Sequence, residues 1–588
     1  MSAMSPPSAT LIDDPSGFRL RFTADETARR RASGVWTGRT LADDARNRAA
    51  TTPDAIACVT ETGGLSFGQI WNRAVRLARR MRAHGLTPGA VVSFQLPNWD
   101  EAVVLNLACS LAGLVINPIV PIYRDREVGF ILNDARSRLL ILPARWRNFD
   151  YAAMAVALKP GLPSLDRIIT VRGTADGCDS WDDWTGGPSR DGSPRDDGAD
   201  DDRVVTDLAP DLVGADASSL KMVMYTSGTT GRPKGVLYAH ETSRRALMSS
   251  MRAWDIHAGD VLLMPSPVTH VTGYSYGMEL PFYHATRTVF MERWDGAQAL
   301  ELIADHDVAF MIGATPFLQE LTAAAEAARA AGRPPVATSL KIFACGGAAV
   351  PPEVVRRARK AMPNLAAFRV YGSSECPMIT QGYPGTDPAS AEAAATSDGA
   401  VYDWEVRVVD EAGQPVPAGA EGEIVARGPA LFRGYTDPAA TAEAFDADGY
   451  FRTGDLGTVA EDGRLVITGR KKDLIIRGGE NLSAKEIEDA LHEHPLVREA
   501  AVVAMPHARL GEGVCAWLIP TDAARDATHD GQMLPDRDMI ADFVASRGLA
   551  RQKLPERIEW VDDFPRTASG KIQKHIIRKL VAAQPDGS

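Results

Sequence analysis

The chain has 588 residues, more than a single hydrophobic core organises, so at least two domains are expected. Apolar residues make up 45% and charged residues 24%, the balance of a soluble globular protein. With 64 Lys+Arg against 76 Asp+Glu the net charge is −12, which argues against broad nucleic-acid binding and against docking on an anionic membrane surface. The six cysteines (Cys58, Cys109, Cys178, Cys345, Cys376, Cys515) show no metal-ligand or redox spacing, which fits a reducing compartment and a cytoplasmic protein. MSAMSPPSATLIDDPSGFRL has neither a basic start nor an apolar core, so it does not read as a signal peptide.

In LSFGQIWNRAVRLARRMRAHG apolar residues recur at helical spacing up to a glycine, and AVVSFQLPN then predicts a buried strand. AVVLNLACSLAGLVINPIV, 102–120, is the most apolar stretch. It contains Asn106 and Asn117 and ends at prolines, so it reads as a buried helix running into a strand and not as a membrane span. Residues 174–202 hold ten aspartates among Gly, Ser and Pro and predict a surface insertion unable to order itself. KMVMYTS, KIFACGGAAV and FRVYGSSE each predict a strand entering a turn, and AEAARAAGRPP ends a helix. His240 reads as a structural residue at a helix start. From about 400 the pattern turns to strands and turns, a β subdomain. Ser483 and Glu486 form a capping-box pattern, and KIQKHIIRKLVAA predicts a final basic amphipathic helix.

YTSGTTGRPKG, 225–235, has the composition of a phosphate loop but not the Walker A spacing: five residues after Gly228 stands Pro233, and Lys234 precedes Gly235. Its glycines free backbone N–H groups, its hydroxyls (Thr226, Ser227, Thr229, Thr230) donate, and Lys234 adds charge. By residue type alone, a surface turn is an equal reading.

The whole string closely resembles the phosphate loop of the adenylate-forming superfamily, which comprises acyl-CoA synthetases, firefly luciferase and the adenylation domains of peptide synthetases. CGGAAV (345–350), VYGSSE (370–375), YFRTGDLG (450–457), GRKKDLIIRGGENLS and PRTASGKIQK (565–574) follow in the family's order, and the resemblance covers about 36–580. It is strongest toward the acid–CoA ligase branch, with a weaker likeness to medium-chain and cyclohexanecarboxylate ligases.

The resemblance and the alternation of elements imply an α/β fold. A large N-terminal domain of two βαβ-type subdomains plus a β-barrel-like subdomain would precede a small mobile α+β C-terminal domain. The expected bounds are an extension 1–35, an AMP-binding domain 36–471 with the insertion 174–202, and a mobile domain 472–588. The implied substrates and cofactors are ATP, Mg2+ and CoA. The phosphate loop, including Gly228, would hold the β- and γ-phosphates. Gly347 and Ala348 would line one face of adenine and Tyr371 would stack on the other, followed by Gly372 and Ser373. Ser374, where relatives carry Thr, would bind the α-phosphate and Glu375 the metal. Asp455 and Arg470 would hold the ribose, Lys472 would be the hinge, and Lys571 the catalytic lysine. Gly478 and Gly479 would admit the pantetheine arm of CoA.

By the same resemblance His270 contacts the carboxylate end of the acid. The acyl pocket is expected from 266–277, 311–316 and the turn at Gly346, with Gly273, Tyr274, Gly313 and Ala314 making it uncharged and roomy. No Asp lies there to hold an amino group. A medium-chain, alicyclic or aromatic acid is therefore expected. Three functions are compatible with these residues: an acid–CoA ligase, a stand-alone enzyme loading an acyl-carrier protein, and an inactive scaffold, against which the intact Glu375, Asp455, Arg470 and Lys571 argue.

Overall fold

The computed structural model describes residues 11–21, 24–185, 212, 215–226, 233–332, 336–529, 533–567 and 570–584. A first sheet of seven strands runs Asp179–Ser180, Arg167–Val171, Leu139–Pro143, Val91–Phe94, Val115–Pro118, Leu220–Thr226, Lys234–Ala239. All neighbours are parallel except the last pair, an antiparallel hairpin. A second seven-stranded sheet runs Ala366–Val370, Ile342–Gly346, Val308–Gly313, Val261–Met264, Arg287–Phe290, Ile56–Thr60, Gly63–Ser66, again parallel up to its last pair. Near-continuous runs such as LLIL and VLLM are buried on both faces, as parallel strands covered by helices require.

The helix Phe67–Ala83 shows how local sequence sets these layers. Ser66 accepts from the N–H of Gln69 and Gln69 Oε1 accepts from that of Ser66, which satisfies two orphan donors. Phe67, Ile70, Trp71, Ala74, Val75, Ala78 and Met81 then face the core, and Gly85 ends the turn at φ 84°. The apolar stretch at 102–120 forms the buried helix Asp100–Leu111 and the strand Val115–Pro118. Among the described residues no helix is long and apolar enough to cross a membrane.

The β subdomain is a five-stranded antiparallel sheet ordered Gly399–Ala400, Arg464–Arg470, Phe451–Val459, Gly422–Arg427, Glu405–Val409. After Arg470 a short 3₁₀ turn, Lys471–Asp473, leads into another sheet that begins at Ile475. That sheet pairs Ile475–Arg477, Glu480–Leu482, Val497–His507, Gly511–Pro520 and Arg557–Trp560, and has its own apolar clusters on its two faces.

Two expectations need correction. The stretch 174–185 is ordered: Asp179–Ser180 joins the first sheet, and the short helix Trp181–Thr185 buries Trp181 and Trp184. The Trp184 indole donates to Asp179 Oδ2 at 3.2 Å and stacks on His84 at 4.4 Å. The aspartates drew the reading toward disorder, yet two tryptophans bury enough surface to overcome it. The remainder, 186–202, lies outside the described residues, as does 1–10 of the N-terminal extension. Trp184→Ala should cost about 3 kcal/mol through the cavity it leaves, visible as a lower urea midpoint in circular dichroism. An unchanged midpoint would show that this edge adds nothing to the first sheet.

The second correction concerns the cap at 483. Ser483 accepts from the Glu486 N–H at 3.4 Å, but its hydroxyl donates to Thr468 O at 2.7 Å. The Glu486 carboxylate pairs with Lys553 at 2.5 Å and does not close the box, because a cation outcompetes a neutral N–H for it.

Candidate active site

Parallel strands leave a crevice beyond their carboxyl ends, because successive crossovers diverge there. Here the ends of Ile342–Gly346 and Ala366–Val370, and the hairpin ends Thr226 and Lys234, open onto one cleft of about 720 Å³. The C-terminal unit roofs it through Lys485, Glu488, Arg566 and Lys571.

Thr226 and Lys234 are cross-strand partners of two antiparallel strands, whereas a Walker A loop joins a strand to a helix. Ser227, Gly228, Thr229 and Thr230 lie outside the described residues. The Lys234 ammonium stands 5.2 Å from the centre of the Tyr435 ring. Tyr435 also donates to Glu375 Oε1 at 2.9 Å, while Ser373 donates to Glu375 Oε2 at 2.9 Å. One tyrosine thus joins the loop lysine to the carboxylate. Nothing in FRGYTDPAAT marked Tyr435 by charge or periodicity.

Tyr371 is buried, and its hydroxyl donates to Asp455 Oδ2 at 2.8 Å. Arg470 Nε donates to Asp455 Oδ1. Burial would depress the Arg470 guanidinium, but Asp455 outweighs it and the net shift is upward. Asp455 and Arg470 are cross-strand partners of the antiparallel sheet, which fixes their spacing. The Asp455 N–H donates to Thr453 Oγ1 at 3.1 Å, a contact the sequence reading missed. Gly347, at φ 81°, and Ala348 stand exposed in the cleft, and Gly372, Ser373 and Ser374 line it as well. The buried ion pair Arg369–Asp398, 2.7 Å, also lines the cleft and was not anticipated.

Lys571 reaches this group from the far end of the chain. Its Cε lies 3.7 Å from where a Cβ on Gly347 would stand. Burial lowers its pKa, and Arg470 adds to that; Glu375 and Asp455 oppose it. Lys472 lines the same cleft, its pKa lowered first by burial and then by Arg470.

His270 also faces the cleft. Its Nδ1 accepts from the Thr272 N–H at 3.4 Å, which leaves the ring proton on Nε2. Burial, then Lys571, push its pKa down to about 3, so it acts as a neutral donor. His240 opens the helix His240–Ala253, is buried, and is likewise held neutral by burial and Lys221.

Gly478 and Gly479 do not reach the cleft. At φ 61° and 90° they turn the hairpin between Ile475–Arg477 and Glu480–Leu482, and the Gly478 N–H donates to Leu510 O at 2.8 Å.

The expected acyl wall is only partly as read. Pro267, Thr269, His270, Thr315 and Pro316 line the cleft, but Gly273–Glu279 is a buried π-helical turn. A Cβ on Gly273 would lie 2.2 Å from Pro267 O, and one on Gly313 2.7 Å from the Phe317 ring. These glycines serve close packing and do not provide room. Tyr274 donates to Asn106 at 2.6 Å and accepts from Lys221, whose ammonium pairs with Glu279. The neighbourhood expected to be uncharged therefore contains a buried ion pair.

Could these residues hold Mg2+? Among the described residues no group of three or more His, Cys, Asp or Glu side chains is arranged to hold a metal. Glu375 is a single carboxylate at the cleft, held by two hydroxyls and left half-exposed. Mg2+ is commonly bound by one or two carboxylates together with substrate phosphates and water, so the donor set fits a metal that arrives with the nucleotide.

Comparison with known proteins agrees with this geometry. The AMP-binding enzyme family matches residues 45–436, and the AMP-binding enzyme C-terminal domain matches 486–571. The chain is similar to the medium-chain fatty-acid–CoA ligase of Escherichia coli (strain K12), 33% identical over 566 residues, or 95% of this chain and 94% of that protein. It is 31% identical to a salicylyl-CoA synthase / salicylate adenylyltransferase of Streptomyces sp, over 95% of this chain and 96% of that one. The fold is similar to that of ATP-bound MatB from Rhodopseudomonas palustris, with a TM-score of 0.75 and 26% identity, covering 92% of this chain and 99% of that chain. A cleft built from these motifs, matched along nearly its whole length, places the chain in the AMP-binding enzyme family, the adenylate-forming superfamily that includes the acid–CoA ligases.

Proposed function

We propose that the protein is an AMP-forming acid–CoA ligase: ATP and a carboxylic acid give an acyl-AMP and pyrophosphate, and the CoA thiol then displaces AMP. The observation that carries the reading is the convergence of Lys571, Gly347, Glu375, Asp455 and Arg470 on one cleft, although they are spread over 225 positions.

A carboxylate is already a nucleophile near pH 7, so the first step needs no general base. It needs neutralisation of two approaching anions. Lys571 would bridge the carboxylate and the α-phosphate, with Ser374 beside it. Thr226, Ser227, Gly228, Thr229, Thr230 and Lys234 would hold the outer phosphates. Tyr371 would pack on adenine opposite Gly347 and Ala348, and Asp455 and Arg470 would take the ribose. Glu375 would hold Mg2+, which when bound supplies charge neutralisation on the phosphates. His270, neutral, would donate from Nε2 toward the acid.

The second step needs Lys571 withdrawn and the thiol admitted. We assign the pivot to Lys472, with domains 36–471 and 472–588, and the CoA approach to Gly478 and Gly479. In the present arrangement those glycines form a turn away from the cleft, while Lys571 occupies it. Lys472→Pro should leave pyrophosphate exchange within about two-fold and slow thioester formation about ten-fold or more, by fixing φ at the pivot. Equal loss of both steps would count against the hinge.

The names of the similar proteins favour a medium-chain or aromatic acid. The second of them is also named an adenylyltransferase, which keeps carrier-protein loading as the alternative. The absence of paired cysteines among the described residues supports a cytoplasmic location. The test is acid-dependent pyrophosphate exchange with hexanoate, octanoate, cyclohexanecarboxylate, benzoate and salicylate, followed by CoA as acceptor. Exchange with none of them would refute the substrate class, and exchange without thioester would favour the carrier-protein reading.

A further inference from the structure

Lys571 sits on a turn near the end of the chain, yet its amine must arrive within a fraction of an ångström of a reacting phosphate. The turn itself is tight. The Thr567 N–H donates to Lys571 O at 2.8 Å, the Lys571 N–H to Thr567 Oγ1 at 3.1 Å, and Arg566 bridges Ile572. These bonds shape the turn, and Phe564 and Ile572 on either side of it pack on the sheet with Ala501, Val503 and Cys515.

Two ion pairs flank the lysine and add directed contacts to that packing. On one side Arg566 meets Glu499 in a two-pronged contact, Nη2 lying 2.9 and 2.8 Å from the carboxylate oxygens. The same guanidinium donates to Asp563 Oδ1 at 3.1 Å and to Gly570 O at 3.3 Å, the residue before Lys571. On the other side Lys574 pairs with Glu488 at 2.7 Å. The two acids come from regular elements, Glu499 from the strand Val497–His507 and Glu488 from the helix Ala484–Leu491. Glu488 is itself held by the Val502 N–H at 2.6 Å.

We propose that Glu499–Arg566 and Glu488–Lys574 form a two-point clamp that positions Lys571 for the adenylation step. Both pairs are mostly buried, with side-chain exposures of 20% and 16% for the first and 18% and 7% for the second. Such pairs add little net stability but impose geometry, and Arg566 does so most strongly because its three nitrogens each hold a different partner, Asp563, Gly570 O and Glu499. All four residues belong to the C-terminal unit, so the clamp travels with Lys571 when that unit moves. It serves only the half-reaction that uses Lys571. Arg566, Glu499, Lys574 and Glu488 are positioning residues in this account.

The inference rests on the assignment of Lys571 under the proposed function. The experiment measures both half-reactions separately, using whichever of the five acids exchanges fastest. Pyrophosphate exchange reports adenylation. CoA added to chemically prepared acyl-AMP reports thioester formation. Arg566→Gln and Glu499→Gln should each slow exchange about 10- to 100-fold, as a misplacement of about 1 Å does. Thioester formation should stay within about two-fold. Arg566→Lys, which keeps the charge but has one ammonium for three partners, should fall between. The double variant should be no worse than the worse single one, because both remove the same contact.

A loss shared equally by the two steps marks a structural role only and overturns the clamp. Full exchange in both Arg566→Gln and Glu499→Gln, with Lys571→Ala inactive, overturns the clamp alone. Full exchange in Lys571→Ala overturns the assignment of the lysine and the clamp with it.

Discussion

Lys571→Ala is expected to lower acid-dependent pyrophosphate exchange by about 10²–10³-fold, the usual cost of removing one preorganised charge donor at a developing anion. The same variant should form thioester from prepared acyl-AMP at close to the normal rate, because no phosphate is attacked in that step. The pH profile adds a second readout. Burial lowers the Lys571 pKa below the ordinary lysine value of about 10.4. The reaction needs the cation, so kcat/KM for exchange should fall as pH rises through the lowered pKa, and that limb should vanish in the variant. His270, at about 3, is neutral at about pH 7 and contributes no limb there. A variant that adenylates normally with an unchanged alkaline limb would refute the role given to the lysine.

Glu375→Gln should be nearly as damaging, at about 10²-fold or more in exchange, with the Mg2+ concentration for half-maximal rate displaced upward. The amide keeps the shape, but only its oxygen accepts, so it retains one of the two bonds that Tyr435 and Ser373 donate to the carboxylate at 2.9 Å each, and its NH2 must donate to the other hydroxyl. What it loses is the negative charge that a hard dication requires. Separating these effects calls for a Mg2+ titration of exchange alongside Tyr435→Phe, which removes one hydroxyl bond and leaves the charge. The Mg2+ dependence of Tyr435→Phe should move far less than that of Glu375→Gln, because the charge that holds the dication is kept. An unshifted Mg2+ titration in Glu375→Gln would remove that residue from the metal.

Much of this was readable along the chain. The helix at 67–83 announced itself by its period and terminal glycine, and the strand entries at 345 and 370 by apolar runs ending in glycine. Those are local signals, fixed by backbone sterics and side-chain spacing within a few residues. The motif strings likewise named Lys571, Glu375, Asp455 and Arg470 as candidates. At 174–185 the reading failed, since the aspartates were counted and the burial of Trp181 and Trp184 was not. It failed again at Gly273 and Gly313, whose missing side chains are filled by Pro267 and Phe317 and not by substrate.

By itself the sequence determined the alternation of elements, the family strings and the residue types that neutralise a triphosphate, because each depends on short-range order. Only the tertiary structure decided that Tyr435 links Lys234 to Glu375, and that Glu499 and Glu488 grip the turn bearing Lys571. These contacts join residues from 60 to 201 positions apart, so no periodicity or spacing rule reaches them. Charge is cheap to place along a chain; its effect at a cleft is set by distance and burial, which exist only once the sheets have packed.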